Sequence, residues 1–331
     1  MPPTSRTGPR RARLPRATAV RLAWRMLPPE LRDAVAERCG APIVDAVSAE
    51  TGFTPGMASV LTAADGSRHF VKAASVRAQA EFAAAYRAES LVLDRMPAGV
   101  AIPRLQWTLG VPELTPGGLG DRWEGEWVVL GIEHIDADPP PRPWSPTDLQ
   151  RCLDALHATA VALTPAPWPA PTLAQDLGTL PDHWRYVLRT FALPHGREAA
   201  QLARGFAAAT AGRTLIHTDM RDDNLLLGPD AVWSCDWNWA VQGAAWVDAV
   251  SLLLGAAADG LDADAVVATH PIFTGADPED VDVLLATLTG YFLAAGDRPE
   301  APTSPYLRAH QRALGEAAWE WLCRRRGWPP E

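Results

Sequence analysis

Residues 215–248, LIHTDMRDDNLLLGPDAVWSCDWNWAVQGAAWVD, constrain the fold more than any other part of the chain. Two short apolar runs, Leu215-Ile216 and Leu225-Leu226-Leu227, precede a Gly228-Pro229-Asp230 turn. A third run, from Ala231 to Cys235, ends on Asp236. Turn residues between β-type runs predict a hairpin-like pair. Such a pair brings Asp219, Asn224 and Asp236 together at one edge.

The sequence before this stretch divides into a β-rich and an α-rich part. Proline at the start and Leu31, Ala34 and Val35 at helical spacing predict a helix over 28–37, stopped by Gly40. A strand is expected at 42–47, a loop with Gly52 and Gly56 within 51–62 leads into a second, and Ala64-Asp65-Gly66-Ser67 reads as a hairpin turn into a return strand at 68–73. A glycine-bearing loop, TGFTPGMAS at 51–59, leads into the first arm of that hairpin. Residues 76–96 are alanine-rich and helical in pattern, and 102–109 is a strand candidate. The nearly continuous apolar run at 126–135 reads as a central strand. Proline then crowds 138–143 and marks a boundary between lobes. Beyond it, Ser145-Pro146 starts a helix to about 163. Further helices are expected at 182–191, 197–209, 248–257, 278–295 and 305–325. The predicted class is α+β with two lobes. A loosely ordered basic tail covers 1–27, a small β-rich lobe 28–135, and a larger, mostly helical lobe carrying the hairpin 136–331.

Composition narrows the function. Two asparagines occur in 331 residues, Asn224 and Asn238, and both lie in the opening stretch. One lysine, Lys72, stands against twenty-nine arginines. An arginine fork does not reproduce a compact ammonium at a tight phosphate site. A neutral amide oxygen likewise differs from a carboxylate as a metal ligand. The net charge of −9 argues against nucleic-acid binding. Four widely separated cysteines and no CxxC pair give no zinc or redox motif, and reduced thiols of a cytoplasmic protein are expected. No run of eighteen apolar residues is present, so no membrane span is expected. Arg10-Arg11 is followed by no apolar run, and a solvated tail is expected there rather than a secretion signal.

The chemistry concentrates in His217-x-Asp219-x-x-x-x-Asn224, with Asp236 twelve residues on. A hydroxyl acceptor needs a carboxylate to orient it and take its proton. Cations that bridge phosphates need hard oxygen ligands. The spacing resembles the catalytic loop of protein kinases and their later metal-binding aspartate. More closely, "HTDMRDDNLLL" and "CDWNWA" resemble the catalytic and metal motifs of the aminoglycoside phosphotransferase and choline-kinase-like enzymes. Those enzymes share the protein-kinase-like fold, and the resemblance spans roughly 47–254.

That resemblance implies a role for each matching residue. Asp219 takes the place of the catalytic base, Asn224 and Asp236 those of the magnesium ligands, and His217 that of a brace for the loop. Arg221 stands near the transferring phosphate or, equally, is a surface arginine paired with Asp222 or Asp223. Lys72 matches the phosphate-binding lysine, with Glu89 as its helical partner and Glu81 as the alternative. Gly52 and Gly56 permit the loop at 51–59 to approach phosphates. Ile132 would line the adenine pocket, with backbone groups of Glu133 and Ile135 meeting the base. Asp248 would brace the catalytic loop. Thr218 departs from the family's usual glycine, and Asn238 reads as a turn residue.

The expected activity is transfer of a γ-phosphate from ATP or GTP, with Mg2+, to a hydroxyl of a small molecule. From Asp248 onward thirteen acids face six arginines. That balance suits an aminoglycoside or other amine-bearing acceptor, or simply makes an acidic solvated surface. The alternatives are a metabolic kinase for an amino alcohol, sugar or homoserine-like acceptor, and a nucleotide-binding pseudokinase acting as an interaction module. The sequence leaves the oligomeric state open.

Overall fold

The structure is a computed structural model that describes residues 19–329. The chain begins with α1 (Pro29–Cys39), then β1 (Ile43–Ser48), β2 (Met57–Ala63) and β3 (Arg68–Ser75). Next come α2 (Ala80–Arg95), β4 (Leu105–Leu109) and β5 (Trp127–Glu133). The strands form one antiparallel sheet in the order β1-β2-β3-β5-β4. Alternation along β3 and β5 sends side chains to two separate cores. On one face Ala74, Val128, Leu130 and Ile132 meet Ala83, Tyr86 and Leu93 of α2. On the other, Met57, Leu61, Val71 and Val129 meet Leu31 and Val35 of α1. Burying a leucine fully contributes about 2 kcal/mol, so each helix is held chiefly by these contacts. The β2–β3 turn is closed by Asp65, whose carboxylate accepts from the Ser67 N–H at 2.9 Å and hydroxyl at 2.7 Å.

The second lobe starts at α3 (Pro146–Ala162). Ser145 caps it, its hydroxyl oxygen accepting from the Asp148 N–H at 3.0 Å. There follow α4 (Leu173–Leu177), α5 (Trp184–Thr190), α6 (Gly196–Ala203) and α7 (Phe206–Ala209). Four short strands come next: β6 (Thr214–Ile216), β7 (Leu225–Leu227), β8 (Val232–Ser234) and β9 (Val241–Gly243). The chain finishes with α8 (Val247–Ala258), α9 (Ala263–Thr269), α10 (Pro278–Gly296) and α11 (Leu307–Arg326). Helices α3, α8, α10 and α11 enclose a single large core. The proline-rich connection is pinned rather than loose. Arg142 donates to Asp259 at 2.6 and 2.9 Å and to Asp222 at 3.1 Å.

Several expectations need correction. Of the tail foreseen over 1–27, residues 1–18 lie outside the described residues, and 19–27 are packed. The N–H groups of Ala19, Val20 and Leu22 donate to Gly52, Thr303 and Pro55 carbonyls, and Leu27 is buried. Apolar side chains at 22, 24 and 27 give this segment a reason to join the α1-side core. The helix foreseen over 197–209 breaks at Gly205, where α6 and α7 separate. The hairpin β7–β8 forms as the turn residues predict, but β6 pairs with β9, a three-residue strand too short to show a pattern. No helix among the described residues is long and apolar enough to cross a membrane.

Candidate active site

The segment from 217 to 224 bridges the two small sheets, so its ends are fixed by β6 and β7. Asp248, in the first turn of α8, fixes its beginning. Its carboxylate accepts the N–H of His217 at 2.7 Å and of Thr218 at 2.9 Å. Thr218 has φ +69°, a left-handed conformation that strains a β-branched residue. Its hydroxyl donates to the Trp239 carbonyl at 3.0 Å, which helps hold it there. His217 is fully buried and edge-on to Trp237. Its Nδ1 accepts from the Asp219 N–H at 3.3 Å, so the proton sits on Nε2, which donates to the Cys235 carbonyl at 2.8 Å. With both ring nitrogens engaged, His217 ties the loop to the β8 end.

Asp219 presents a carboxylate that is 44% exposed. Arg221 donates to both of its oxygens, at 2.6 Å to Oδ1. The same guanidinium reaches Asp223 through Nε at 2.9 Å and Nη2 at 3.2 Å. Arg221 is therefore no solvated surface arginine. Burial opposes its charge, yet Asp219 and Asp223 outweigh burial and raise its pKa. Asp222, the other partner considered from sequence, turns away to Arg142. Asn224 is buried, and its Nδ2 donates to the Asp219 carbonyl at 2.7 Å. That bond leaves the amide oxygen as the group able to hold a cation. Its own backbone carbonyl accepts from the Cys235 N–H at 3.0 Å, which sets Asp236 beside it.

Lys72 arrives from the other lobe. It is 5% exposed on β3, opposite Leu130, and donates to both Glu89 oxygens at 2.8 Å. Its ammonium also contacts the Asp236 carboxylate. Glu81, the alternative partner, is exposed at the start of α2. Burial works against the Lys72 charge, but Asp236 and Glu89 raise its pKa above the ordinary value. Burial lifts Glu89 to about 7 in spite of Lys72. For Asp236 burial again opposes ionisation, and Lys72 more than offsets it, so its carboxyl lies below the usual range.

The loop at 51–59 is held from both sides. Arg21 donates to the carbonyls of Thr51 and of Thr54, the latter at 2.8 Å. Phe53 packs on His310 with ring centroids 4.8 Å apart, and its carbonyl accepts from the Ser304 hydroxyl at 2.8 Å. The Arg221 guanidinium lies 5.5 Å from the Phe53 ring centroid. Gly56 has a packing reason for being glycine: a Cβ there would come within 2.6 Å of the Tyr86 hydroxyl. Gly52 has φ +84° and accepts from Ala19.

The strand residues suggested for a base pocket separate. Ile132 is buried beneath α2, and Ile135 is half-buried just past β5. Of the Glu133 backbone groups expected to meet the base, the N–H donates to the Arg104 carbonyl at 2.8 Å. The crossing of β4 towards β5 uses that group, and neither strand's pattern reveals it. Sequence reasoning also missed Phe53 and His310. An isolated phenylalanine and histidine, 257 positions apart, leave no spacing signal.

A cleft of ≈ 430 Å³ opens beside Asp219 and Arg221, bounded by Phe53, α4, α8, α10 and α11. One carboxylate thus stands at the mouth of a cavity, and a lysine–carboxylate–amide group stands between the lobes.

No family model matches the sequence, and no curated protein matches it significantly. Solved structures do resemble it. A choline/ethanolamine kinase family protein from Mesorhizobium loti superposes with TM-score 0.53 at 18% identity, over 89% of this chain and 96% of the other. An aminoglycoside phosphotransferase from Alicyclobacillus acidocaldarius gives 0.54 at 15% identity, over 91% and 96%. A spectinomycin phosphotransferase in complex with ADP and spectinomycin gives 0.54 at 10% identity, over 88% and 97%. At these identities the likeness speaks for architecture, and the chain has the two-lobed, protein-kinase-like α+β fold of those phosphotransferases.

Proposed function

We propose that this protein transfers the γ-phosphate of ATP to a hydroxyl of a small molecule. The observation that carries the proposal is the convergence of Lys72, Asp236 and Asn224 between the lobes while Asp219 faces an adjoining cleft. The likeness to a phosphotransferase holding ADP supports a nucleotide in the gap between lobes. Lys72, oriented by Glu89, would grip phosphate oxygens there. The glycine-bearing loop tied down by Arg21 would cover them, and the Ile135 backbone is the group left to meet the base.

Asn224 and Asp236 offer one amide and one carboxylate oxygen, a hard donor set that suits magnesium. Among the described residues no cluster of three or more His, Cys, Asp or Glu could hold a metal alone. The cation would share its coordination with phosphate oxygens. When bound, it would offset phosphate charge. Asp219 would orient the acceptor hydroxyl and accept its proton as that oxygen bonds to the γ-phosphorus. The bond from phosphorus to the bridging oxygen breaks, giving a phosphate ester and ADP. Arg221, already touching Asp219, would oppose charge on the transferring group. Free, dispersed cysteines and an ATP requirement fit a cytoplasmic setting.

The test is ADP release by purified protein with ATP, Mg2+ and a panel of hydroxylated acceptors. Asp219→Asn should lower kcat by about 10²–10⁴-fold while nucleotide binding persists. Full transfer by that variant, or tight ATP binding without transfer to any acceptor, would sink the assignment.

A further inference from the structure

The cleft beside Asp219 has a chemistry of its own, and assigning its occupant rests on the phosphotransfer proposal. We infer that the acceptor is an alcohol with a largely apolar body and no more than one cationic centre, bound in part through His310. The walls are apolar: Phe206, Leu254, Leu284, Leu288 and Leu314 line the cavity. Only Asp176, Asp219 and Arg221 among its lining residues carry formal charge. Arg221 already offsets Asp219, and Asp176 is exposed on the α4 rim. A polycation moved into such walls would lose water and find too few carboxylates to replace it.

The acids that crowd the C-terminal sequence serve elsewhere. Asp248 holds the backbone of the catalytic loop. Asp259 holds Arg142, Asp264 and Asp282 hold Arg325, and Glu279 holds Arg326. None of these lines the cleft.

His310 supplies the independent sign of a ligand. It lines the cavity, is 8% exposed, and among the described residues has no hydrogen-bond partner at either ring nitrogen. Burial, aided by the Arg221 charge, pushes its pKa down to about 4, so the ring is neutral near pH 7. A neutral imidazole offers one donor and one acceptor. An acceptor bearing a second hydroxyl, or a carbonyl, would satisfy a ring that the described residues leave unpaired. At the mouth Trp239 is 52% exposed, and its carbonyl is held by Thr218 next to Asp219. Its ring is a face on which an apolar body can lie.

The experiment compares hydrocortisone, menthol and 4-phenylbutan-2-ol with choline and kanamycin, by ADP release and by equilibrium binding without nucleotide. At least one apolar alcohol should exceed kanamycin in kcat/KM by tenfold or more. His310→Phe should raise KM for a polar-substituted apolar alcohol about tenfold with kcat within twofold, and His310→Gln should recover most of the loss. Leu288→Glu, in a half-buried wall position, should weaken the apolar alcohols and favour choline, which guards against a His310 variant that fails to fold. Binding of apolar alcohols that depends on His310, without any transfer, would support the cleft chemistry and overturn the transfer reading. Preferred phosphorylation of kanamycin, or KM values indifferent to both positions, would overturn the acceptor class and leave transfer standing.

Discussion

At the scale of single residues, Lys72 shows how much one position can fix. Its ammonium is enclosed between Glu89 and Asp236, above the ring of Tyr86. A guanidinium is planar, larger and less able to act as a point charge in that gap. Lys72→Arg should therefore lower kcat/KM for ATP at least about tenfold, measured by coupled ADP release. Unchanged kinetics would mean that the ammonium does not contact the nucleotide. The position stood out because the chain spends its only lysine there, and the contact with Glu89 rather than Glu81 follows the spacing that the family resemblance implies. Arg221 was only half legible. The neighbouring acids Asp222 and Asp223 gave no way to tell partner from bystander, since a turn of 3-10 helix at 222–224 points them to different arginines. Sequence spacing sets which side chains are near, but the direction each takes depends on packing around it.

At the scale of elements, the strongest dependence runs from α8 to the loop at 217–224. Asp248 alone accepts the N–H groups of His217 and Thr218, and it is buried. Asp248→Ala would leave both donors without that partner, at about 1–3 kcal/mol each. A fall in melting temperature of roughly 4–10 °C should follow. A melting curve that matches the parent would show that the loop holds its shape without α8. The glycine-bearing loop depends in the same way on Arg21, which donates to two of its carbonyls. Arg21→Ala should raise KM for ATP by roughly 5–30-fold with kcat little changed, because the loop would cover the nucleotide less closely. A lowered kcat at constant KM would instead place this loop in the transfer step. Elements with strong local signals were readable from sequence: the Asp65-Gly66 turn and the Ser145 cap. Those that depend on distant partners were not. The β6–β9 pair joins three-residue strands twenty-five positions apart, and residues 19–27 acquire structure only by docking on the loop and α1-side core.

At the scale of the whole molecule, the division into a β-rich and a helical lobe was visible in the change of pattern at the prolines, whereas the closure between lobes was not. Closure depends on contacts that no local pattern encodes: Lys72 with Asp236, Phe53 with His310, and the Ser304 hydroxyl with the Phe53 carbonyl. It also buries His310, and that burial links stability to pH. Burial lowers the His310 pKa from 6.5 to about 4, with Arg221 and Arg142 adding to the effect and Asp223 opposing it. The unfolded chain therefore binds a proton that the folded protein excludes. Stability from this group is full above pH 6.5 and is lost as the pH falls towards 4, by about 2–3 kcal/mol. Glu89 carries the opposite sign. Its folded pKa of about 7 lies above its ordinary value, so its contribution is present below about 4.5 and is lost as the pH rises through 7. The two partly cancel in the parent, and a melting curve of the parent alone cannot separate them. The difference between the parent and His310→Gln can. Glutamine does not titrate, while Glu89 is common to both proteins. Thermal melts from pH 7.5 to 4.5 should show the parent losing stability relative to His310→Gln by about 2–3 kcal/mol, with most of the change below pH 6.5. A constant difference across that range would mean that His310 takes up its proton without opening the contact between the lobes.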